Sequence, residues 1–244
     1  MSVAVIRREL DAADVDTRAR GLRRLSLYCG TSSVDNRRPA DFAERRASLA
    51  DCEAKLFDFA HGEDEVMREL AADALGAWLG DRALAVLLEL ASDPVERVRA
   101  SAIGALEGWP DDPRVLDVLL NALDAPRWTV RMRAARALAP FQNPQADDGL
   151  LEALVDPDSY VRSGACDALQ QRDPARYLDR LRKMSDYPAP HLLDAAMDLL
   201  GAVGTAEDAK FLEKAGSWLN LSQPGFVRSW ARKAARTIRK RQRS

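Results

Sequence analysis

An arginine recurs along this chain at a nearly constant interval, and a recurring guanidinium suits two kinds of chemistry. Successive members of the series are 31, 32, 31, 31 and 35 residues apart. We call them anchor residues: Arg68, Arg99, Arg131, Arg162, Leu193 and Arg228. A ladder of guanidinium groups can bind phosphates, because each group presents a planar fork of N–H donors. The same groups can instead pair with carboxylates or helix-end carbonyls inside a repeated fold.

Aromatic residues recur in two registers relative to these anchors. Trp78, Trp109 and Phe141 each stand ten residues after an anchor, and this equal register predicts a packed row at the helix ends. A less regular set lies two or three residues before its anchors: Trp128, Tyr160, His191 and Phe226. Exposed aromatic side chains at those positions would suit contacts with a partner, and partial burial in the turns is the alternative.

The C-terminal segment is strongly basic. Residues 225–244 carry eight basic residues and no acidic residue, so the rest of the chain has a net charge of −10 against −2 overall. On a helix over 227–240, Val227, Ala231, Ala234 and Ile238 share one face. The candidate polyanion-binding residues on the other face are Arg228, Arg232, Lys233, Arg236, Arg239 and Lys240. This helix either caps the fold with a solvated face or attracts nucleic acid, an acidic protein or a membrane surface.

Other chemistry has little support in the sequence. The two histidines, His61 and His191, are 130 residues apart, and the three cysteines form no CxxC pair, so we expect no metal site, no disulfide framework and no cofactor. The sequence has no HExxH, GxSxG, P-loop or GxGxxG motif. The acid pairs 111–112 and 147–148 stand near proline or asparagine, and we interpret them as solvated helix caps.

The residues around each anchor predict a helix that would position it. Alanine stands three residues after every anchor, leucine or alanine seven after, and usually valine one before, so steps of four trace one helix face. The small alanine permits close approach of a neighbouring helix. Proline lies five residues before most anchors, as Pro94 and Pro157 do, which predicts the first turn of the helix. Apolar segments between anchors, such as 115–123, predict an antiparallel partner helix.

The segment "DPVERVRASAIGAL" at 93–106, with its relatives at 124–138 and 156–169, resembles the HEAT-repeat family in its short bacterial form, the PBS-lyase type. The resemblance covers residues 64 to about 203. Together with the period, it implies an all-α, right-handed solenoid of about seven antiparallel helix pairs, with thirteen to fifteen helices. It also implies that the anchor arginines are structural.

We predict one continuous repeat array over 1–244. Residues 1–63 form divergent N-terminal repeats, with Arg18 as an early anchor and a loop insertion near 30–41. Residues 64–203 form the regular repeats, and residues 204–244 form a C-terminal capping repeat with the basic helix. Stability then comes from packing between neighbouring units.

The resemblance implies an interaction module, because HEAT-like arrays usually present the second helix of each pair on a concave surface. We therefore expect a non-enzymatic adaptor or scaffold that binds a protein or peptide partner there. The candidate contact residues are Trp128, Arg133, Arg136, Tyr160, Asp167, His191 and Asp194. Other positions expected to face outward are Glu69, Asp73, Ser101, Ser163 and Asp198.

Other functions stay open at this point. The basic helix favours weak, non-specific nucleic-acid contact, which the acidic remainder of the chain disfavours. HEAT-like DNA glycosylases are similar in length, but no tryptophan-adjacent acid and basic cleft like theirs is evident. Bilin lyases share the short repeat, but cysteine and histidine are sparse here.

We expect a cytoplasmic protein. No apolar run approaches the roughly 20 residues of a membrane span, and the acids near the start do not suit a signal peptide. The preference for arginine over lysine, with abundant alanine, fits a bacterial source.

Overall fold

A computed structural model describes residues 2–29, 41–183, 194–218 and 225–242, except for the side chains of 211, 214–218 and 225–228. Within these ranges, every regular element is helical, with fifteen α-helices and three short 3-10 helices, and no strand is present. The fold is therefore all-α. The predicted fold class and the predicted number of helices are confirmed.

The contacts divide the chain into two compact units, and the first unit is Met1–Ala122. Its helices are α1 (Val3–Leu10), α2 (Val15–Cys29), α3 (Phe42–Ala47), α4 (Glu53–Ala60), α5 (Glu65–Trp78), α6 (Asp81–Leu90), α7 (Glu96–Ala105) and α8 (Pro113–Ala122). Helix α1 packs on α2, α4 on α5, and α6 on α7. The second helices of these pairs, α2, α5 and α7, pack side by side.

The second unit, Leu123–Ser244, repeats this plan. Its helices are α9 (Trp128–Ala137), α10 (Pro144–Ala153), α11 (Ser159–Gln170), α12 (Leu178–Lys183), α13 (Asp194–Val203), α14 (Ala206–Trp218) and α15 (Gly225–Arg241). Helix α10 packs on α11, α12 on α13, and α14 on α15, while α9, α11, α13 and α15 form a row of second helices. The single continuous array over 1–244 stays a prediction.

The residues at the predicted helix-facing positions form the core. The alanines three residues after the anchors are all buried: Ala71, Ala102, Ala134, Ala165, Ala196 and Ala231. Close helix approach depends on small residues elsewhere as well. A Cβ added at Gly76 of α5 would lie 2.7 Å from the Cβ of Ala105 on α7, and one added at Gly201 of α13 would lie 3.1 Å from the Cα of Ala234 on α15. A larger side chain at either glycine would push the second helices apart.

The anchor arginines tie neighbouring turns together. Arg68 donates to the carbonyl oxygens of Gly62 and Glu63 at 2.9 and 2.8 Å, in the turn before its own helix. Its Nε and Nη2 donate to the carboxylate of Asp93, in the turn of the following repeat, at 2.8 and 3.3 Å. We call this arrangement the arginine clamp: one guanidinium bonded to two carbonyls of its own turn and to one carboxylate farther along the chain.

The arginine clamp recurs in the second unit. Arg131 bonds to the carbonyls of Ala125 and Pro126 and to the carboxylate of Asp156, at 2.7 to 3.1 Å. Arg162 makes the same set of bonds with the Asp194 carboxylate, at 2.8 to 3.1 Å. Arg18 and Arg99 each donate to the carbonyls five and six residues before them. The structural interpretation is therefore confirmed for the anchor arginines whose side chains the structure describes, and it stays a prediction for Arg228.

The clamp carboxylates are partly shielded from solvent. The side chains of Arg68 and Asp93 are 14% and 6% exposed. Burial alone would raise the pKa of Asp93, but hydrogen bonds from the Arg68 guanidinium and from the Val95 N–H outweigh it, and the pKa is lowered. The contribution of Asp93 to stability is thus present above the ordinary carboxyl pKa and is lost as the pH falls through the lowered value.

The prolines before the anchored helices lie outside the helices, ahead of the N-cap residue, and not in the first turn as predicted. Pro94 and Pro157 each lie two residues before the first helical residue, so the prediction that they form the first turn is wrong. Their carbonyls accept hydrogen bonds from the guanidinium groups of Arg99 and Arg162. The clamp therefore needs these residues in the turn rather than in the helix.

The aromatic side chains that stand ten residues after the anchors pack inside the units, as predicted. Trp78 and Phe141 are buried, and Trp109 is half-buried. In the next repeat the same register is occupied by Arg172, which is also buried and bonds to Asp147 at 2.5 Å. The interpretation of Asp147 as a solvated cap is therefore wrong, because a buried guanidinium requires a buried carboxylate beside it.

Enlarging a clamp-adjacent alanine tests the packing face. Ala134→Leu places three extra carbons where α9 has no free space, and we expect it to lower the free energy of unfolding by about 1–3 kcal/mol. Ala4→Leu on α1, which is exposed, is the matched control and is expected to change it by less than about 0.5 kcal/mol. Chemical denaturation measures both. An unchanged midpoint and slope for Ala134→Leu would contradict the assigned face.

Replacing a clamp guanidinium by an ammonium tests the clamp itself. Arg131→Lys keeps the charge, but one ammonium cannot reproduce the fork that reaches two carbonyls and Asp156. We expect a loss of about 1–3 kcal/mol in the free energy of unfolding. Arg133→Lys, on the same helix but exposed, is expected to be neutral within about 0.5 kcal/mol. Equal effects at both positions would show that the clamp bonds contribute little.

Candidate binding surface on the second helices

Two exposed aromatic side chains meet on the second unit. Trp128 is the first residue of α9, and Tyr160 is the second residue of α11. Their ring centroids are 5.2 Å apart and the ring planes are inclined by 26°, so the rings are stacked. Trp128 is 39% exposed and Tyr160 is 62% exposed. We call these two residues the aromatic pair. The structure thus brings together two of the residues that the sequence analysis proposed as partner contacts.

Local structure positions the aromatic pair at the helix N-termini. The carboxylate of Asp158 accepts a hydrogen bond from the backbone N–H of Tyr160 at 2.8 Å and caps α11. The arginine clamp of Arg131 reaches the neighbouring Asp156, so the turn before α11 is fixed to α9. The turn next to the aromatic pair is therefore fixed by hydrogen bonds to both helices.

Charged side chains continue this surface along the helices. Arg133 and Arg136 are exposed on α9, and Asp167 is exposed on α11. A Cβ added at Gly164 of α11 would lie 3.3 Å from Cγ of Arg136, so the Arg136 side chain extends across the neighbouring helix where no side chain obstructs it. The surface next to the aromatic pair thus carries charges of both signs.

Two other candidate positions have different surroundings. Asp194 is half-buried and accepts the two hydrogen bonds of the Arg162 clamp, so its carboxylate has a structural partner. His191 lies outside the described residues. In the first unit, Ser101 is buried and not outward as expected.

Helix α15 is amphipathic, with an apolar face and a basic face where the sequence predicted them. Ala231, Ala234 and Ile238 are buried on one face. Five of the candidate polyanion-binding residues are exposed on the other: Arg232, Lys233, Arg236, Arg239 and Lys240. The side chain of the sixth, Arg228, lies outside the described ones, as does that of Val227. An open groove of about 530 Å³ runs over this face, and its lining among the described residues is Ser229, Arg232, Lys233, Arg236, Thr237 and Lys240.

Carboxylates border this basic face on both sides. Lys233 bonds to both oxygens of Asp198 on α13 at 2.8 and 3.1 Å. On the other edge, Arg239 pairs with Glu213 of α14 at 2.5 Å. Between these pairs, Arg232, Arg236 and Lys240 follow one another at intervals of four residues, and we call these three residues the basic stripe.

Other kinds of site have little support among the described residues. Over the described ranges, no group of three or more histidine, cysteine or acidic residues is placed to hold a metal ion. Among the helices of the described part of the chain, none combines the length and the apolar character needed to cross a membrane.

The sequence also matches a family model. The model for HEAT repeats matches residues 53–139 and 147–236, which is most of the chain. The chain therefore belongs to the HEAT-repeat family, and its fold class is the all-α solenoid of that family. No curated protein matches it.

Solved structures similar to this chain include repeat proteins of related architecture. A designed armadillo repeat protein in complex with the peptide (KR)4 is 18% identical, with 84% of this chain and 100% of that chain covered and a TM-score of 0.54. The complex of CpcE and CpcF of phycocyanin lyase from Nostoc sp. PCC7120 is also 18% identical, with 98% and 94% covered and a TM-score of 0.52. At these identities the likeness concerns the fold.

Some features of the surface were not evident from the sequence. The stacking of Trp128 on Tyr160 depends on the side-by-side packing of α9 and α11, although their similar distances from the anchors were a usable signal. The carboxylates at the edges of the basic face come from α13 and α14, far from α15 in sequence, and had no local signal.

A pair of truncations tests whether the aromatic pair is a surface feature. Tyr160→Ala removes an exposed ring and its stacking, and we expect a loss below about 1.5 kcal/mol in the free energy of unfolding. Phe141→Ala, a buried ring in the same unit, is expected to cost about 3–5 kcal/mol. Denaturant titration compares them. A cost for Tyr160→Ala as large as that for Phe141→Ala would assign the pair to the core.

Proposed function

We propose that this protein is a non-enzymatic adaptor or scaffold that binds a protein or peptide partner on the second-helix surface of its second unit. The observation that carries the proposal is the exposed, stacked aromatic pair at the N-termini of α9 and α11. Exposing two large aromatic rings to water is unfavourable, and a partner that covers the rings would remove this cost.

The character of the surface around the pair supports a protein partner. Tryptophan, tyrosine and arginine are the residue types that most often dominate the binding free energy of protein interfaces. Here Trp128 and Tyr160 lie on the same row of helices as the exposed Arg133 and Arg136. The acidic side chain of Asp167 on α11 adds the opposite charge, which helps to orient a polar partner.

The structural neighbours support binding more than catalysis. The designed armadillo protein holds a peptide, which shows that a stack of this kind can present a peptide-binding surface. A lyase activity by a cysteine nucleophile has weak support here, because Cys29, Cys52 and Cys166 are all buried. Burial also raises the pKa of the Cys52 and Cys166 thiols, which disfavours the reactive thiolate.

Affinity capture from the native organism tests the proposal. The immobilised protein is exposed to nuclease-treated lysate, alongside the variant Trp128→Ala/Tyr160→Ala and the control Leu27→Ala, which removes an exposed apolar side chain of the first unit. We expect one protein to be retained by the wild type and the control, and to be lost at least tenfold from the double variant, as for hot-spot residues. Equal retention by all three proteins would contradict the proposed surface, and loss on nuclease treatment would contradict a protein partner.

Nucleic-acid association is the second candidate, and the open basic groove favours it. Arginine and lysine side chains of this face would contact phosphates, which carry no sequence information, so we expect any DNA or RNA binding to be non-specific and to be largely abolished by moderate salt. Arg232→Ala/Arg236→Ala/Lys240→Ala is expected to remove this binding while the fold survives. Tight binding to one nucleic-acid sequence at physiological salt, lost in that variant, would favour the nucleic-acid function over the adaptor.

A further inference from the structure

The surface next to the aromatic pair places one arginine where an acid of a bound segment can reach it. We infer that this surface binds a partner segment in extended conformation, with an apolar side chain on the aromatic pair and one carboxylate, two residues farther along, on Arg136. This inference rests on the proposed adaptor function and names the chemistry of the partner at the same surface.

The register of the second helices brings these groups onto one surface. On α9, Trp128, Met132 and Arg136 follow one another at intervals of four residues and so share one face of the helix. On α11, Gly164 lies four residues after Tyr160, on the same face as that ring. Met132 is half-buried and Gly164 is buried, so neither of them projects between the aromatic pair and Arg136.

The aliphatic part of the Arg136 side chain crosses α11 at Gly164. A Cβ added at Gly164 would lie 3.3 Å from Cγ of Arg136 and 3.5 Å from the backbone oxygen of Met132, so the glycine permits this close crossing. Gly164 is about one helical turn, or about 6 Å along the axis of α11, from Tyr160. In an extended chain, side chains on one side recur at every second residue, about 6.6 Å apart. An apolar side chain on the aromatic pair therefore places the second residue after it beside Arg136.

The exposed cation at this register is paired on α15, whereas on α9 it is not. Lys233 of α15 bonds to Asp198 of the neighbouring α13 at 2.8 Å, and both residues stand five after their anchors. Arg136 and Asp167 hold the same register on the neighbouring helices α9 and α11. Over the described ranges, however, the guanidinium of Arg136 forms no ion pair with Asp167 or with another acid. A carboxylate of a partner can therefore pair with it.

The Asp167 carboxylate limits the ligand to one acid at this place. Asp167 is exposed and stands three residues after Gly164 on α11, about one turn beyond the crossing. Further acids along the segment would meet this like charge, which is unfavourable. A run of acids, or a nucleic-acid strand with a phosphate at every nucleotide, therefore fits this surface less well than an apolar side chain followed by one carboxylate.

Selection from a phage-displayed library of random dodecapeptides tests the inference on the full-length protein. The wild type is immobilised beside Trp128→Ala/Tyr160→Ala, which lacks the aromatic pair, and each retained pool is sequenced. We expect the wild type to enrich peptides about tenfold or more over the double variant. The enriched peptides are expected to share an apolar residue, then any residue, and then glutamate or aspartate.

Fluorescence anisotropy with one enriched peptide tests the role of Arg136. We expect Arg136→Gln to raise the Kd by about tenfold, because it removes a charge-assisted hydrogen bond. Replacing the acid of the peptide by its amide is expected to have the same effect, and Arg136→Gln is then expected to add nothing. Asp167→Asn removes the like charge and is expected to lower the Kd. The matched control Arg8→Gln, at an exposed arginine of α1, is expected to change the Kd by less than about twofold.

Four results would overturn the inference: no enrichment by the wild type, equal enrichment by the double variant, equal Kd values for the acid and amide peptides, or equal effects of Arg136→Gln and Arg8→Gln. Partner capture from the lysate that depends on the aromatic pair would, beside any of these results, leave the adaptor function standing. Lysate capture that is independent of the aromatic pair, together with equal enrichment by the double variant, would overturn both proposals.

Discussion

The arginine clamp is the interaction on which the regular geometry of both units depends. One guanidinium satisfies two carbonyls of the turn before its helix and reaches a carboxylate of a later turn, as Arg131 does with Asp156. The next second helix starts directly after that turn, so the clamp sets where α11 begins relative to α9. Because the second helices keep register, their exposed positions align, and Trp128 comes to lie beside Tyr160. The candidate surface is thus a consequence of the clamp.

Because the clamp is buried, it favours one pairing of arginine with carboxylate over other pairings, in addition to stabilising the fold. Paired charges lose hydration when they are buried, and they recover the cost only if every donor and acceptor is used well. The clamps of Arg68 and Arg131 use a bidentate carboxylate and two carbonyls, and both are largely buried. A slipped pairing would leave a carboxylate unpaired in a dry site. The basic face of α15 has the opposite character, because its charged side chains are exposed to solvent.

Much of the fold was predictable from the sequence, because it depends on short-range periodicity. The spacing of alanine and leucine around each anchor identified the buried faces, and the equal register of Trp78 and Phe141 identified a packed row. Some of the errors arose where a residue's surroundings come from another repeat. Asp147 is buried because Arg172 occupies an aromatic position of the next repeat, and no local pattern shows this. The pairing of Asp194 with Arg162 was hidden for the same reason.

The central claim is that the second helices of the second unit form the binding surface. Hydrogen–deuterium exchange of the protein with and without its captured partner tests this claim most directly, because it reports on every helix at once. We predict protection at the N-terminal turns of α9 and α11, with α10, α12 and α14 unchanged. Protection confined to those first helices, or to the first unit, would contradict it.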